Sequence, residues 1–139
     1  MKIILDTNVA LNLWFFNDAQ THAALAGLLQ KATPHGTPAM LAELLRVAQS
    51  PHLSQYAANS CAFDELAQQW RSKVACIAAA SDVRSPLRCR DADDQIFLDL
   101  AQQISAAAIV TLDRDLLKLA KRAKTIGLQI ATPFHSFFD

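Results

Sequence analysis

Met1-Lys2-Ile3-Ile4-Leu5-Asp6-Thr7-Asn8 opens the chain as an apolar run that stops abruptly at an acid, a hydroxyl and an amide. Ile3, Ile4 and Leu5 follow one another without a polar residue, the pattern of a strand covered on both faces, as in a parallel sheet. Such a strand hands the next residue, Asp6, to the carboxyl edge of the sheet, where open α/β sheets bind ligands. Asp and Asn are also favoured helix N-caps. Two readings therefore stand at Asp6 and at Asn8: a cap for the following helix, or a group placed for chemistry.

The same pattern returns late in the chain. Ala108-Ile109-Val110-Thr111 is a second buried-strand run, followed by Leu112-Asp113-Arg114-Asp115. Asp113 or Asp115 either caps the helix expected over 115–123 or is a second strand-end acid. Between the two runs, apolar spacing predicts helices over 10–16, 21–32, 38–48, 53–58, 61–70 and 91–104. Pro34-His35-Gly36 is expected to end the second helix, Thr37 to belong to a very short strand, and Pro38 to sit in the first turn of a helix. The stretch 74–80 is ambiguous between helix tail and strand, and 81–90 reads as a loop carrying Arg84, Arg88 and Arg90. Gly127 closes the helical region, 129–131 is a last strand, and Pro133 is expected to start a short terminal helix with Phe134, Phe137 and Phe138. Strands alternating with helices predict a three-layer α/β/α fold with a mainly parallel central sheet, as one domain over 1–139.

Composition bounds the function. With 139 residues, 52% of them hydrophobic, and only 3 Gly and 5 Pro, the chain can bury a substantial core. Its formal charge is zero, so no strongly basic footprint announces a nucleic-acid partner. Cys61, Cys76 and Cys89 are odd in number and lack C-x-x-C spacing, which argues against a disulfide framework or a zinc site. Buried free thiols in a reducing compartment are expected instead. No apolar run reaches membrane-spanning length and no signal-peptide pattern is present. The expectation is a soluble, cytoplasmic protein without a membrane partner.

Two helices carry acids on their inner sides. In 38–48, Glu43 lies three and four residues from Met40 and Val47, at the edge of the apolar face. It either joins a site, pairs with Arg46 at i+3, or lets its head reach water while its stem packs. In Arg90-Asp91-Ala92-Asp93-Asp94-Gln95, Asp91 reads as the N-cap. Asp94, Phe97, Ala101 and Ile104 share one face, so Asp94 lies on a core-facing line at the end near the sheet edge. The alternative is a capping-box acid reaching back toward Asp91.

Taken together, Asp6, Glu43, Asp94 and Asp113 lie where they can converge on one pocket. Like charges in a poorly solvated site need cations. An all-oxygen donor set favours Mg²⁺ or Mn²⁺ over zinc, and such a cage suits metal-assisted phosphodiester hydrolysis.

These segments, Ile4-Leu5-Asp6-Thr7-Asn8-Val9, Ala42-Glu43-Leu44-Leu45-Arg46-Val47, Arg90 to Ala101, and Val110-Thr111-Leu112-Asp113-Arg114-Asp115, resemble the PIN-domain ribonucleases. The match is nearest to the prokaryotic branch that supplies toxins of toxin–antitoxin pairs (VapC-like). The resemblance implies a PIN-like parallel sheet flanked by helices, an acidic pocket for Mg²⁺ or Mn²⁺, and cleavage of RNA. It implies a homodimer silenced by a cognate antitoxin protein. Residue by residue, it implies metal-binding and catalytic roles for Asp6, Glu43, Asp94 and Asp113, with Asp115 as an assisting acid. Thr7 and Thr111 would orient the carboxylates, and Asn8 a ligand or water. Relatives often carry glycines where this chain has Ser105-Ala106-Ala107, and Gly in place of Leu112. Those departures bear on rate and substrate rather than on fold.

The leading reading is an Mg²⁺- or Mn²⁺-dependent endoribonuclease of a toxin–antitoxin pair. Arg84, Arg88, Arg90, Arg114 and Lys118 would grip substrate phosphates through salt-sensitive, sequence-independent contacts. A second reading is a non-catalytic binding module of the same fold. A third, an Asp-dependent phosphoryl-transfer enzyme, asks for a second acid two residues after the first, and position 8 is Asn.

Overall fold

The computed structural model describes residues 1–138. Five strands form one parallel sheet: β1 (Lys2–Leu5), β2 (Thr33–Gly36), β3 (Ala75–Cys76), β4 (Ala108–Val110) and β5 (Gln129–Ala131). Their order across the sheet is β3-β2-β1-β4-β5. The chain steps outward from β1 to β2 and β3, then returns to the other side of β1 for β4. The β1/β4 boundary is thus the topological switch point, and the crevice at its carboxyl end is where such sheets take ligands. Leu5 pairs with Val110, so Asp6 and Thr111 leave the sheet side by side.

Alternation along the strands divides the core between two faces. Ile3, Leu5, Ala108 and Val110 pack on one side with Val9, Leu25, Leu44, Leu66 and Trp70. Those partners come from α1 (Thr7–Trp14), α2 (Ala19–Lys31), α3 (Pro38–Ala48) and α5 (Ala62–Lys73), with the short α4 (Pro51–Ser54) between α3 and α5. Ile4, Ile109 and Ile130 pack on the other side with Phe97, Leu98, Ala101, Ile104 and Leu116. That layer comes from α6 (Ala92–Ile104), α7 (Arg114–Leu117) and α8 (Ala120–Lys124). The arrangement is the expected three-layer α/β/α fold with an all-parallel sheet.

Several local expectations need correction. Pro34-His35-Gly36 does not merely end a helix; it lies within β2, and Thr37 caps α3 by accepting the Met40 N–H at 3.3 Å. A proline inside a sheet is tolerable here because β3 pairs only with His35 and Gly36, past the ring that offers no N–H. The helix expected over 115–123 is broken into α7 and α8, with no Gly or Pro to announce the break. After Pro133 there is a turn rather than a helix, closed by the His135 N–H on the Thr132 carbonyl. That tail is too short to repay helix nucleation. It is tied down by Gln129, whose side chain donates to the Ser136 carbonyl at 2.8 Å and accepts the Phe138 N–H at 3.2 Å. Phe137 is buried, whereas Phe134 is exposed. The cysteines are free, as expected, but not buried: Cys61 and Cys76 are exposed and Cys89 is partly so. Among the described residues, no helix is long and apolar enough to cross a membrane.

Candidate active site

Asp6 occupies the N-cap position of α1, yet its side chain makes no capping bond. It is 4% exposed. Its Oδ2 accepts the Thr111 hydroxyl at 2.5 Å. Burial pushes the Asp6 carboxyl above the usual carboxylate range. The Thr111 hydroxyl and the Thr7 backbone amide oppose that shift, while the Asp113 charge adds to it. At position 6 the residue stands at the cap, but its carboxyl is bound to Thr111 and makes no capping bond to α1.

Asp113 does cap. Its Oδ1 accepts the Asp115 N–H at 2.7 Å at the start of α7, and its own N–H donates to Thr111 Oγ1 at 2.9 Å. Thr111 thereby holds the ends of β1 and β4 together, bonded to the Asp6 carboxylate and to the Asp113 backbone.

Asp94, in the first turn of α6, does not reach back to cap its helix. That task falls to Asp91, whose Oδ1 accepts the Asp93 N–H at 2.9 Å. Asp94 Oδ2 is a buried side-chain oxygen with no hydrogen-bond partner. Its carboxyl is pushed up to about 7, first by desolvation, then by the neighbouring Asp113 carboxyl, then by Asp6 and Asp91. Asp113 thus adds to the upward shift of both Asp6 and Asp94 at the switch point, which the three acids reach from β1, α6 and the turn after β4.

Glu43 sits nearby but is occupied. Together with Thr7, Ala39, Asp94, Ile96 and Phe97 it lines a cleft of about 260 Å³. Its two oxygens accept Arg46 Nε at 2.9 Å and Nη2 at 2.6 Å, and this pairing lowers its pKa. The i+3 arginine is the alternative the sequence left open. Asp115 is 3.9 Å from Lys118. Asn8, Arg88, Arg90 and Arg114 are exposed. Among the described residues, no three His, Cys, Asp or Glu side chains close on a single point as a ready-made metal cage.

One feature has no counterpart among the sequence-based expectations. Gln95, Asp99 and Gln103, spaced by four along the outer side of α6, hold the arginine loop. Gln103 accepts the Ala80 N–H at 2.8 Å and donates to the Ala78 carbonyl at 2.9 Å. Asp99 Oδ1 accepts the Ser85 N–H at 2.8 Å and the Gln95 amide at 3.1 Å. Gln95 also accepts the Cys89 N–H at 2.7 Å and donates to the Leu87 carbonyl at 3.0 Å. The loop lies beside the acids: burial pushes the Cys89 thiol up, with Asp94, Asp115 and Asp113 adding to the shift. The i, i+4, i+8 polar spacing was visible in the sequence; its target, an irregular backbone, was not.

The family model for the PIN domain matches residues 2–115. This chain belongs to the PIN-domain family. That family is generally one of nucleases, which commonly use divalent metals. Over 140 residues the chain is 27% identical to the uncharacterized protein MJ1680 of Methanocaldococcus jannaschii, spanning 96% of this chain and 87% of that protein. Its fold is similar to a chain in the crystal structure of VapBC2 from Rickettsia felis bound to a DNA fragment from their promoter. There the TM-score is 0.64 at 19% identity, covering 94% of this chain and 98% of the other. The structural match reaches past residue 115, so the PIN fold here includes β5.

The donor set suits a hard cation. Mg²⁺ usually keeps several waters and binds through one or two carboxylates plus substrate phosphates, so a closed protein cage is not required. An unbonded, buried Asp94 oxygen facing two further acids is a position that such an ion would satisfy.

Proposed function

We propose that this PIN domain is an endoribonuclease that hydrolyses RNA phosphodiester bonds with Mg²⁺ or Mn²⁺ held by Asp6, Asp94 and Asp113. The observation that carries this reading is the buried Asp94 Oδ2, which has no partner within the protein and stands against two acids from neighbouring strand ends. When bound, the ion would supply a water acidic enough to attack phosphorus and would steady the leaving oxygen. Thr111 holds Asp6 and Asp113 in register, an orienting role that such sites depend on. Thr7 lines the cleft, and Asn8 stands exposed beside it, free to orient a ligand or water. Glu43 joins this set only when it leaves Arg46, and Asp115 only from the periphery. Arg88, Arg90, Arg114 and Lys118 are exposed cations around the crevice, suited to backbone phosphates.

The biological setting follows from the resemblance of the motifs to toxins of toxin–antitoxin pairs, and from the fold likeness to a VapBC2 chain. In this reading the protein is a cytoplasmic toxin, forms a homodimer and is restrained by a cognate antitoxin. A non-catalytic binding module is the second reading, favoured by the lack of three acids closing on one point among the described residues.

Cleavage of RNA with and without Mn²⁺, by wild type and by Asp94→Asn, separates these readings. Metal-dependent cleavage by wild type alone supports the nuclease. No cleavage of any RNA supports the binding module. Equal cleavage by both proteins places the activity elsewhere.

A further inference from the structure

The acidic cleft does not end at Glu43 and Asp94. A second cavity of about 360 Å³ shares Ala39, Ala92 and Ile96 with it and continues along α6 beneath the arginine loop. Its volume falls within the roughly 300–1,000 Å³ of small-molecule sites. Much of its wall is short and apolar: Ala39, Ala79, Ala80, Ala92 and Ile96. Short side chains leave flat surfaces that a planar ring can lie against. The polar groups are few. Gln95 and Gln103 line the cavity, but their amides are engaged with loop backbone. Both bonds to Asp99 land on Oδ1, which leaves Oδ2 for another donor. Arg84 stands exposed at the cavity and uses Nη1 on the Val83 carbonyl at 2.9 Å, leaving its other N–H groups free.

We propose that this cavity is a nucleobase subsite for a nucleotide flanking the scissile phosphate, with Asp99 reading an exocyclic amino group and Arg84 meeting a backbone phosphate. Single-stranded RNA is read by bases splayed into such pockets and bonded along their edges. A carboxylate oxygen accepts readily from the amino groups of cytosine, adenine or guanine. It disfavours uracil, whose one edge donor lies between two carbonyl oxygens that the charge repels. The cavity adjoins the acidic cleft along Ala39, Ala92 and Ile96, which on the nuclease reading sets a base held there near the bond to be cut. Its place in the reaction rests on the nuclease reading; its ability to hold a nucleotide does not.

The test is therefore a binding titration of the metal-free full chain with 5′-AMP, GMP, CMP and UMP, followed through the side-chain amide NMR signals of Gln95 and Gln103. The amino-bearing nucleotides are expected to shift both signals and to bind about fivefold more tightly than UMP, the worth of one net hydrogen bond. Asp99→Asn keeps an acceptor for Ser85 and Gln95 but turns the free oxygen into a donor, so it should remove or reverse that preference. Ala79→Phe fills the cavity from an exposed position and should abolish binding. Absence of binding by every nucleotide, equal affinity for all of them, or shifts unaffected by Ala79→Phe would each overturn the subsite. Failure of the nuclease reading would show separately, as absent RNA cleavage with Mn²⁺.

Discussion

Thr111 Oγ1 donates to Asp6 Oδ2 at 2.5 Å across 105 positions of sequence, and the same oxygen accepts the Asp113 N–H at 2.9 Å. One fully buried hydroxyl therefore ties the Asp6 carboxylate at the end of one strand to the Asp113 backbone beyond the end of its neighbour. Thr111→Val keeps the shape and removes both bonds. It should cost about 1–3 kcal/mol, the penalty for stranding buried partners, read by urea unfolding. RNA cleavage should fall with it, and Thr111→Ser should recover both. Unchanged stability in Thr111→Val would mean that the hydroxyl contributes nothing.

Asp94→Asn should separate function from stability. It removes a charge that Asp113 and Asp6 repel, so the metal-free variant should melt higher than wild type near pH 8, by on the order of 1 kcal/mol after allowing for solvent screening. Cleavage should drop at least on the order of 100-fold, the loss seen even for groups that only support a metal site. A variant that is both less stable and fully active would contradict the role given to this carboxylate.

The raised Asp94 pKa also sets a pH dependence. The carboxyl ordinarily titrates at 3.8 and here is pushed up to about 7. Between those values the folded state holds a proton that the unfolded state has released, so stability declines as pH rises through that window. Urea midpoints of the metal-free protein should be higher at pH 5 than at pH 8, and Asp94→Asn should flatten the difference. The same slope in both proteins would assign it to another group.

Ser105 ends α6 in the left-handed region at φ 53°, a conformation that favours glycine. Ser105→Gly should stabilise by about 0.5–1 kcal/mol, observed as a higher melting temperature with cleavage unchanged.

Gly36 illustrates the opposite constraint. A Cβ there would lie 2.7 Å from Trp70 Cζ2 and 3.2 Å from Val74 Cγ1. Both neighbours are buried, so Gly36→Ala should destabilise by about 1–3 kcal/mol through overpacking, with a visible change in Trp fluorescence. Full wild-type stability would show that the α5 ring moves freely.

The buried strands β1 and β4 were legible because each has three consecutive apolar residues with an acid within three positions of the last, which suits a strand covered on both faces. The span of α3 was legible from Pro38, and the start of α6 from Asp91. β2 was not, since Pro34 and Gly36 are strand breakers locally, and Pro34 is tolerated because the two-residue β3 stops short of it. That Asp6 and Asp113 flank the switch point followed from topology; among the described residues they do not close with Asp94 into a metal cage. The position of Glu43 was undecided at the level of sequence because Arg46 lies one turn away, and in the fold that arginine holds it. The loop clasp was invisible because its partners are backbone groups, which carry no residue signature.

That clasp has an evolutionary corollary. The 78–90 segment is held by Gln95, Asp99 and Gln103 of one helix and by the buried Leu87, outside the sheet ladder. Drift at Gln95, Asp99 or Gln103 can therefore redraw the rim of the crevice while the strands beneath keep their register. On the nuclease reading proposed above, rewriting that one helix surface changes the target and leaves the acids where they are.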